Sequence, residues 1–195
     1  MDLFMAISQG VGTSLATGLR SFLPPLLVCA MARGNLAIDF DGSDFEFLES
    51  VPFLAALLAV TVVAAVADRG GGRRALEWPL LAVAIVVGAL IFAGSLAEKD
   101  YAWAPGLAAG AACVVLAYVT ARAFLGGARA RLSARGEEGS ANFLDYFAAA
   151  AGVALAALAV LVPPISYVAL AFCAWILIEH RRRGARKYEG LRILR

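Results

Sequence analysis

From Leu3 to Ala32 the chain carries a single charged side chain, Arg20, within a run long and apolar enough to lie in a bilayer. Further apolar blocks follow at about 51–67, 79–97, 103–125, 146–162 and 164–179. A helix needs roughly 20 mostly apolar residues to cross a membrane, and it must satisfy its own backbone there because no water can. Hydrophobic residues make up 62% of the chain, against about half in a soluble domain. The pattern predicts an all-α fold, a polytopic membrane helix bundle of about six spans. It forms a single transmembrane domain over 1–195, with a broken or re-entrant first helix.

The net charge of +2 hides an asymmetry. If the connections alternate sides, one side holds Arg69, Arg73, Arg74, Arg129, Arg131, Arg135 and the basic tail over 181–195. The other holds Arg33 and Lys99 against Asp39, Asp41, Asp44, Glu46, Glu49, Glu98 and Asp100. Lys and Arg accumulate in cytoplasmic loops, so the basic side, with the C-terminus, is expected to be cytoplasmic. The tail is suited to anionic headgroups; membrane lipids, not nucleic acid, are the expected partners. Met1-Asp2 carries no Lys or Arg, so the rule leaves the N-terminus unplaced, and a secretory signal lacks its basic region. The first block is too long for one straight span and too short for two. Either it is one long broken helix with the N-terminus inside, or a hairpin that dips in and returns.

The halves 1–100 and 101–180 share a weak internal likeness. Arg20-Ser21-Phe22-Leu23 parallels Arg122-Ala123-Phe124-Leu125, and Phe47-Leu48-Glu49 parallels Phe143-Leu144-Asp145. Pro79 and Pro164 open blocks that match at further positions. Three spans per unit would set the halves in opposite orientations, the inverted repeat seen in secondary transporters; a plain six-helix bundle with chance similarity is the alternative. Between the first two blocks, Asp39 to Phe47 alternates acid and aromatic around Asp41-Gly42, which predicts a short ribbon or irregular loop with aromatics toward lipid and acids toward water. The acids there lack the closing Glu of a calcium loop, and no metal site is expected. Residues 127–142 read as a Gly-, Ser- and Arg-rich cytoplasmic loop.

On the first helix Gly10, Ser14 and Gly18 form a small-residue stripe that admits a neighbouring helix. Beside it, Gly10, Thr13, Thr17, Arg20 and Pro24 recur at helical offsets. An arginine at bilayer depth costs about 2.5 to 3.5 kcal/mol on insertion scales, so it faces protein, water or an anion. Pro24-Pro25 interrupts the helix ladder just beyond it. A half-helix opening near Ser21 or Phe22 would add partial positive charge from its free N–H groups. Arg20, Thr13, Thr17, Gly18, Ser21 and Pro24 are therefore the substrate-binding candidates, for a phosphate or a carboxylate. Arg20 locking the bundle through a carbonyl or an acid is the competing reading. Asp68 is the proton-coupling candidate or an interfacial cap, and Arg122 and Tyr118 are secondary candidates. Gly106-xxx-Gly110 suggests tight packing, at the bundle centre or between protomers. No zinc-protease, nucleophile-elbow or phosphate-loop motif is present, so neither catalysis nor a cofactor is expected.

The stretch from Gly10 to Pro24 and the Val66-Ala67-Asp68-Arg69 step resemble the bacterial integral-membrane family termed domain of unknown function 4126. The chain departs from that pattern at Ala64, where an acid is usual, and at Glu77-Trp78-Pro79, where Arg-Pro is usual. Leu19 to Pro24 is more loosely similar to a step in DedA-like and small exporter proteins, which implies movement of lipid phosphate or drugs. The expectation is an inner-membrane transporter or lipid carrier for an anionic substrate, of a size that leaves room for a homodimer. The alternative is a non-transporting scaffold or accessory subunit acting through helix packing.

Overall fold

The structure, a computed structural model, describes residues 2–19, 22–36, 38, 40, 42–69, 73–134 and 138–189, with the backbone alone at 68–69, 73–75, 129–134, 138–142, 145 and 183–189. The described residues form α1 (Asp2–Gly18), α2 (Leu23–Arg33), a 3₁₀ turn (Glu46–Glu49), α3 (Val51–Arg69), α4 (Arg73–Ala97), α5 (Ala104–Ala134), α6 (Glu138–Leu161) and α7 (Ile165–Glu189). No strand occurs among them. Two segments, Leu76–Ala97 and Ala104–Ala128, are long and apolar enough to cross a membrane.

α1 is the centre of the bundle, packing against α2, α4, α5, α6 and α7. Its small residues make that burial feasible on every side. A Cβ on Gly10 would lie 2.6 Å from Ser95 Oγ, and one on Gly18 would meet the Val114 carbonyl and come within 2.6 Å of the Ala117 methyl. The two helices α1 and α4 are antiparallel, because Ser95 donates to the Ala6 carbonyl (3.2 Å) while Ser14 donates to the Gly88 carbonyl (2.9 Å). α1 therefore starts level with the 98–103 connection, here the acidic end, and stops level with the middle of α4 and α5.

α2 then goes back. Its last residue, Arg33, donates to the Glu49 carbonyl (3.0 Å), and the Phe45 ring lies 6.0 Å from that of Trp103 on the 98–103 connection. Of the two builds open to the first apolar block, the chain adopts the hairpin. Pro24 and Pro25 explain the break locally. They occupy the first turn of α2, where a missing N–H costs nothing because that turn has no intrahelical acceptor. The new helix thus begins at Leu23, slightly later than the expected Ser21 or Phe22. The remaining helices, α3 to α7, run from end to end. The opposite end, where α3 stops at Arg69 and α4 begins at Arg73, is the basic one.

Two loop expectations are corrected. The alternating segment before α3 is the irregular loop of the two expected forms, with Asp44, Glu46 and Phe47 exposed, but its other aromatics do not turn outward. Ile38, Phe40, Phe45 and Leu48 are buried, with Phe40 against Gly94, and Glu49 is buried too, accepting the Phe40 N–H (2.6 Å). The pleat period fails because tertiary burial chooses the inward residues, and the acid is used as a backbone acceptor. The expected loop over 127–142 is mostly helix, since α5 continues to Ala134 and α6 begins at Glu138.

The bundle has an apolar core with polar residues set into it, and its exterior is apolar as well. Ser8, Gln9, Thr13, Ser14, Thr17, Ser95, Thr120 and Ser166 are buried, whereas Leu58, Val62, Val86, Val119, Phe147, Phe172 and Trp175 are exposed. A soluble fold hides such side chains, and exposed apolar belts of this kind mark a membrane or protein contact.

Candidate functional site

Arg20 and Ser21, the leading candidates from sequence, lie outside the described residues. The other candidates on the hairpin do not. Thr13 is buried on α1 and donates to the Gln9 and Gly10 carbonyls (2.9 and 3.1 Å); Thr17 is buried one turn on and donates to the Thr13 carbonyl (2.9 Å). Each hydroxyl proton is thus committed to the helix backbone, which leaves the oxygens as acceptors. Gly18 is wedged against α5, and Pro24 is buried where Gly152 of α6 passes, a Cβ on that glycine lying 3.2 Å from the proline ring. The backbone of Asp68 lies in the last turn of α3, at the basic end.

Tyr118 and Arg122 stand one helical turn apart on α5 and share a face, and the structure brings them to Glu77 of α4. The Tyr118 hydroxyl donates to Glu77 Oε1. Arg122 Nη1 donates to the same carboxylate oxygen (3.1 Å) and to the Tyr118 oxygen (3.1 Å). The three groups close a triangle in which Tyr118 and Arg122 both donate to one carboxylate oxygen of Glu77. Counting residues along α4 from Gly88, level with Ser14, the triangle sits about 10 Å beyond the end of α1, toward the basic end.

Glu77 was absent from the sequence candidates. A signal existed, because an acid on an apolar helix near the basic end needs a partner, and Tyr118 with Arg122 at i, i+4 offers one surface. What the sequence could not show is that the antiparallel register of α4 and α5 joins positions 41 and 45 residues apart. Gly106 and Gly110 set that register. A Cβ on Gly110 would stand 2.8 Å from both Ala89 Cα and the Gly88 carbonyl. These glycines pack α5 against α4 within the chain. Among the described residues no cluster of three or more His, Cys, Asp or Glu is suited to a metal ion.

These features define an all-helical bundle around a central two-helix hairpin, with an Arg–Tyr–Glu triangle beyond its turn. The chain belongs to the family described as domain of unknown function DUF4126, whose model matches residues 7–183. No curated protein and no solved structure matches it.

Proposed function

We propose that this protein is a small multi-pass transporter or lipid carrier of the bacterial inner membrane, taking an anionic phosphate or carboxylate group at the turn between α1 and α2. The observation that carries the reading is the hairpin. It enters a bundle with an apolar exterior, turns back halfway, and is lined by buried hydroxyl-bearing residues. Interrupted helices at half depth are the usual construction of substrate sites in membrane carriers. On this reading Arg20 binds the anion, and Gly18 and Pro24 frame the turn.

Further support comes from charge. With α1 and α2 both opening at the acidic end and α3 to α7 crossing, the N-terminus lies outside and the basic tail lies in the cytoplasm, in agreement with the positive-inside rule. α3 and α4 run opposite to α6 and α7, as in an inverted repeat, whereas α1 and α5 both start at the acidic end. The scaffold reading finds less support, because Gly10, Gly106 and Gly110, its expected docking faces, are covered by helices of the same chain. The test is uptake or lipid scrambling by proteoliposomes carrying Arg20→Ala and Arg20→Lys. Loss in the first with partial retention in the second is expected. Wild-type rates in both would remove the carrier reading.

A further inference from the structure

α2 packs against both α3 and α6, and those two helices do not pack against each other. It is also short. α2 stops inward at Leu23, whereas α3 continues to Arg69 and α6 begins as far down as Glu138. Counting from Arg33, which bonds to the Glu49 carbonyl, Leu57 of α3 stands roughly level with Pro25. Leu57 is 3% exposed, but Thr61 and Ala64, one and two turns further along the same face, are only half-buried. Ala67, which is buried, lies about a quarter-turn off that face. α6 changes in the same way. Ala159, Ala156 and Gly152 are buried on the face where Gly152 meets Pro24, and Ala148 and Ala149, one turn nearer the basic end on that face, are half-buried. Leu23 itself is 42% exposed.

Beyond the end of α2, the described residues therefore leave a gap between α3 and α6, roofed by Leu23 and Pro24 and open sideways. Its α3 wall, residues 61–69, is about 13 Å long. That matches one leaflet of a hydrocarbon core about 30 Å thick, and it is too short for a partner's spanning helix, which needs roughly 20 residues. An acyl chain fits the length. The flanking side chains Val62, Val63, Val66 and Phe147 are exposed and apolar, and Ala148 and Ala149 keep the α6 wall thin. The mouth lies at the end where Arg69, Arg73, Arg74, Arg129, Arg131 and Arg135 outnumber Asp68, Glu137, Glu138 and Asp145. An excess of arginine at the inner surface favours an anionic headgroup.

We propose that this gap is a lateral portal that takes an acyl chain of an anionic phospholipid from the inner leaflet, with the headgroup at the basic mouth and the chain end against Leu23. The proposal rests on the membrane-carrier reading and narrows its substrate to a lipid, because the chain lies on the path from the inner leaflet to the hairpin turn. A soluble anion needs water along that path, and a second copy of the chain would need to close it; both are outcomes that the test separates.

The full-length protein is reconstituted in phosphatidylcholine nanodiscs with a little phosphatidylglycerol that carries a diazirine on its acyl chain, irradiated, and mapped by peptide mass spectrometry. Label is expected at Leu23, Thr61, Ala64, Ala148 and Ala149 in excess over the open face at Val168 and Phe172. Less of it is expected when phosphatidylcholine carries the diazirine. Ala148→Trp should fill the gap and abolish this labelling, whereas Ala150→Trp, at the same depth on the exposed opposite face, should leave it intact. A nitroxide is also attached at Leu23→Cys, the native cysteines being buried. It should collide with membrane-dissolved oxygen far more than with a water-soluble nickel chelate, and Ala148→Trp should suppress those collisions.

The proposal is overturned if label falls evenly over all exposed faces, if Ala148→Trp leaves the pattern unchanged, or if the two lipids label equally. It is overturned in favour of a dissolved anion if the nickel chelate reaches Leu23. Protection of Leu23 from both collision partners, with a dimer that Ala148→Trp dissociates, overturns it in favour of a second copy. Thermal unfolding checks that the Trp variants fold; where Ala148→Trp does not, Ala149→Leu replaces it, and the wild-type label map and the Leu23 nitroxide still decide. Failure here with transport lost in Arg20→Ala leaves a carrier for a dissolved anion standing. Label in the gap with normal transport in the Arg20 variants removes the carrier and leaves a lipid-binding groove.

Discussion

Ser14 donates its hydroxyl to the Gly88 carbonyl at 2.9 Å, and this bond pins the central helix to α4 at the depth where the hairpin ends. The missing side chain at residue 88 makes room for α5 rather than for this bond. A Cβ there would collide with a methyl of Val114 and lie 3.8 Å from Ser14 Cα. Ser14→Ala should cost about 1 kcal/mol, the usual net worth of one such hydrogen bond. Ser14→Leu should cost about 1 to 3 kcal/mol through overpacking of the same contact. Denaturation in mild detergent measures both; equal stability of the two variants would mean that the contact is slack.

The α4–α5 register makes a paired prediction. Gly110→Ala places a methyl against backbone, so the helices must separate, at about 1 to 3 kcal/mol. Gly126→Ala, on the same helix with nothing within 4 Å of its Cβ, should be neutral or stabilising by up to about 1 kcal/mol. Thermal unfolding of the two variants should therefore move in opposite directions, or the second should not move at all.

Glu49 ties the segment before α3 to the hairpin. Its Oε1 accepts the Phe40 N–H at 2.6 Å and its carbonyl accepts from Arg33 at 3.0 Å. Removing a buried acceptor leaves a donor unsatisfied, so Glu49→Ala should cost about 1 to 3 kcal/mol. Proteolysis between Asn35 and Ser50 should accelerate accordingly. Arg33→Ala should have the smaller effect, because the carbonyl it releases is nearer to solvent.

The hairpin fixes which residues share a side. Cysteines introduced at Asp2, Leu36 and Lys99 should react with a membrane-impermeant maleimide added outside, and one at Arg182 only after permeabilisation. The native Cys29, Cys113 and Cys173 are buried and should stay silent without being removed. Labelling of Asp2 together with Arg182 would mean that the first block crosses as one broken helix.

Much of this protein was legible in its residue order. Long apolar blocks, free of charge save for Arg20, Arg122 and the terminal Glu179, dictate helices, because an apolar setting leaves the backbone no partner but itself. The small residues of α1 announced a helix that others approach closely, and Pro24-Pro25 announced the break. Direction was beyond reach, since the same break serves a helix that continues or one that turns back. Contacts distant in sequence decide it, Ser14 with Gly88 and Arg33 with Glu49. The inward turn of Phe40 and Phe45, and the union of Glu77 with Tyr118 and Arg122, likewise depend on packing between helices, where a shift of one turn would pair different side chains. Local chemistry chose the elements, and the register between them chose the neighbours.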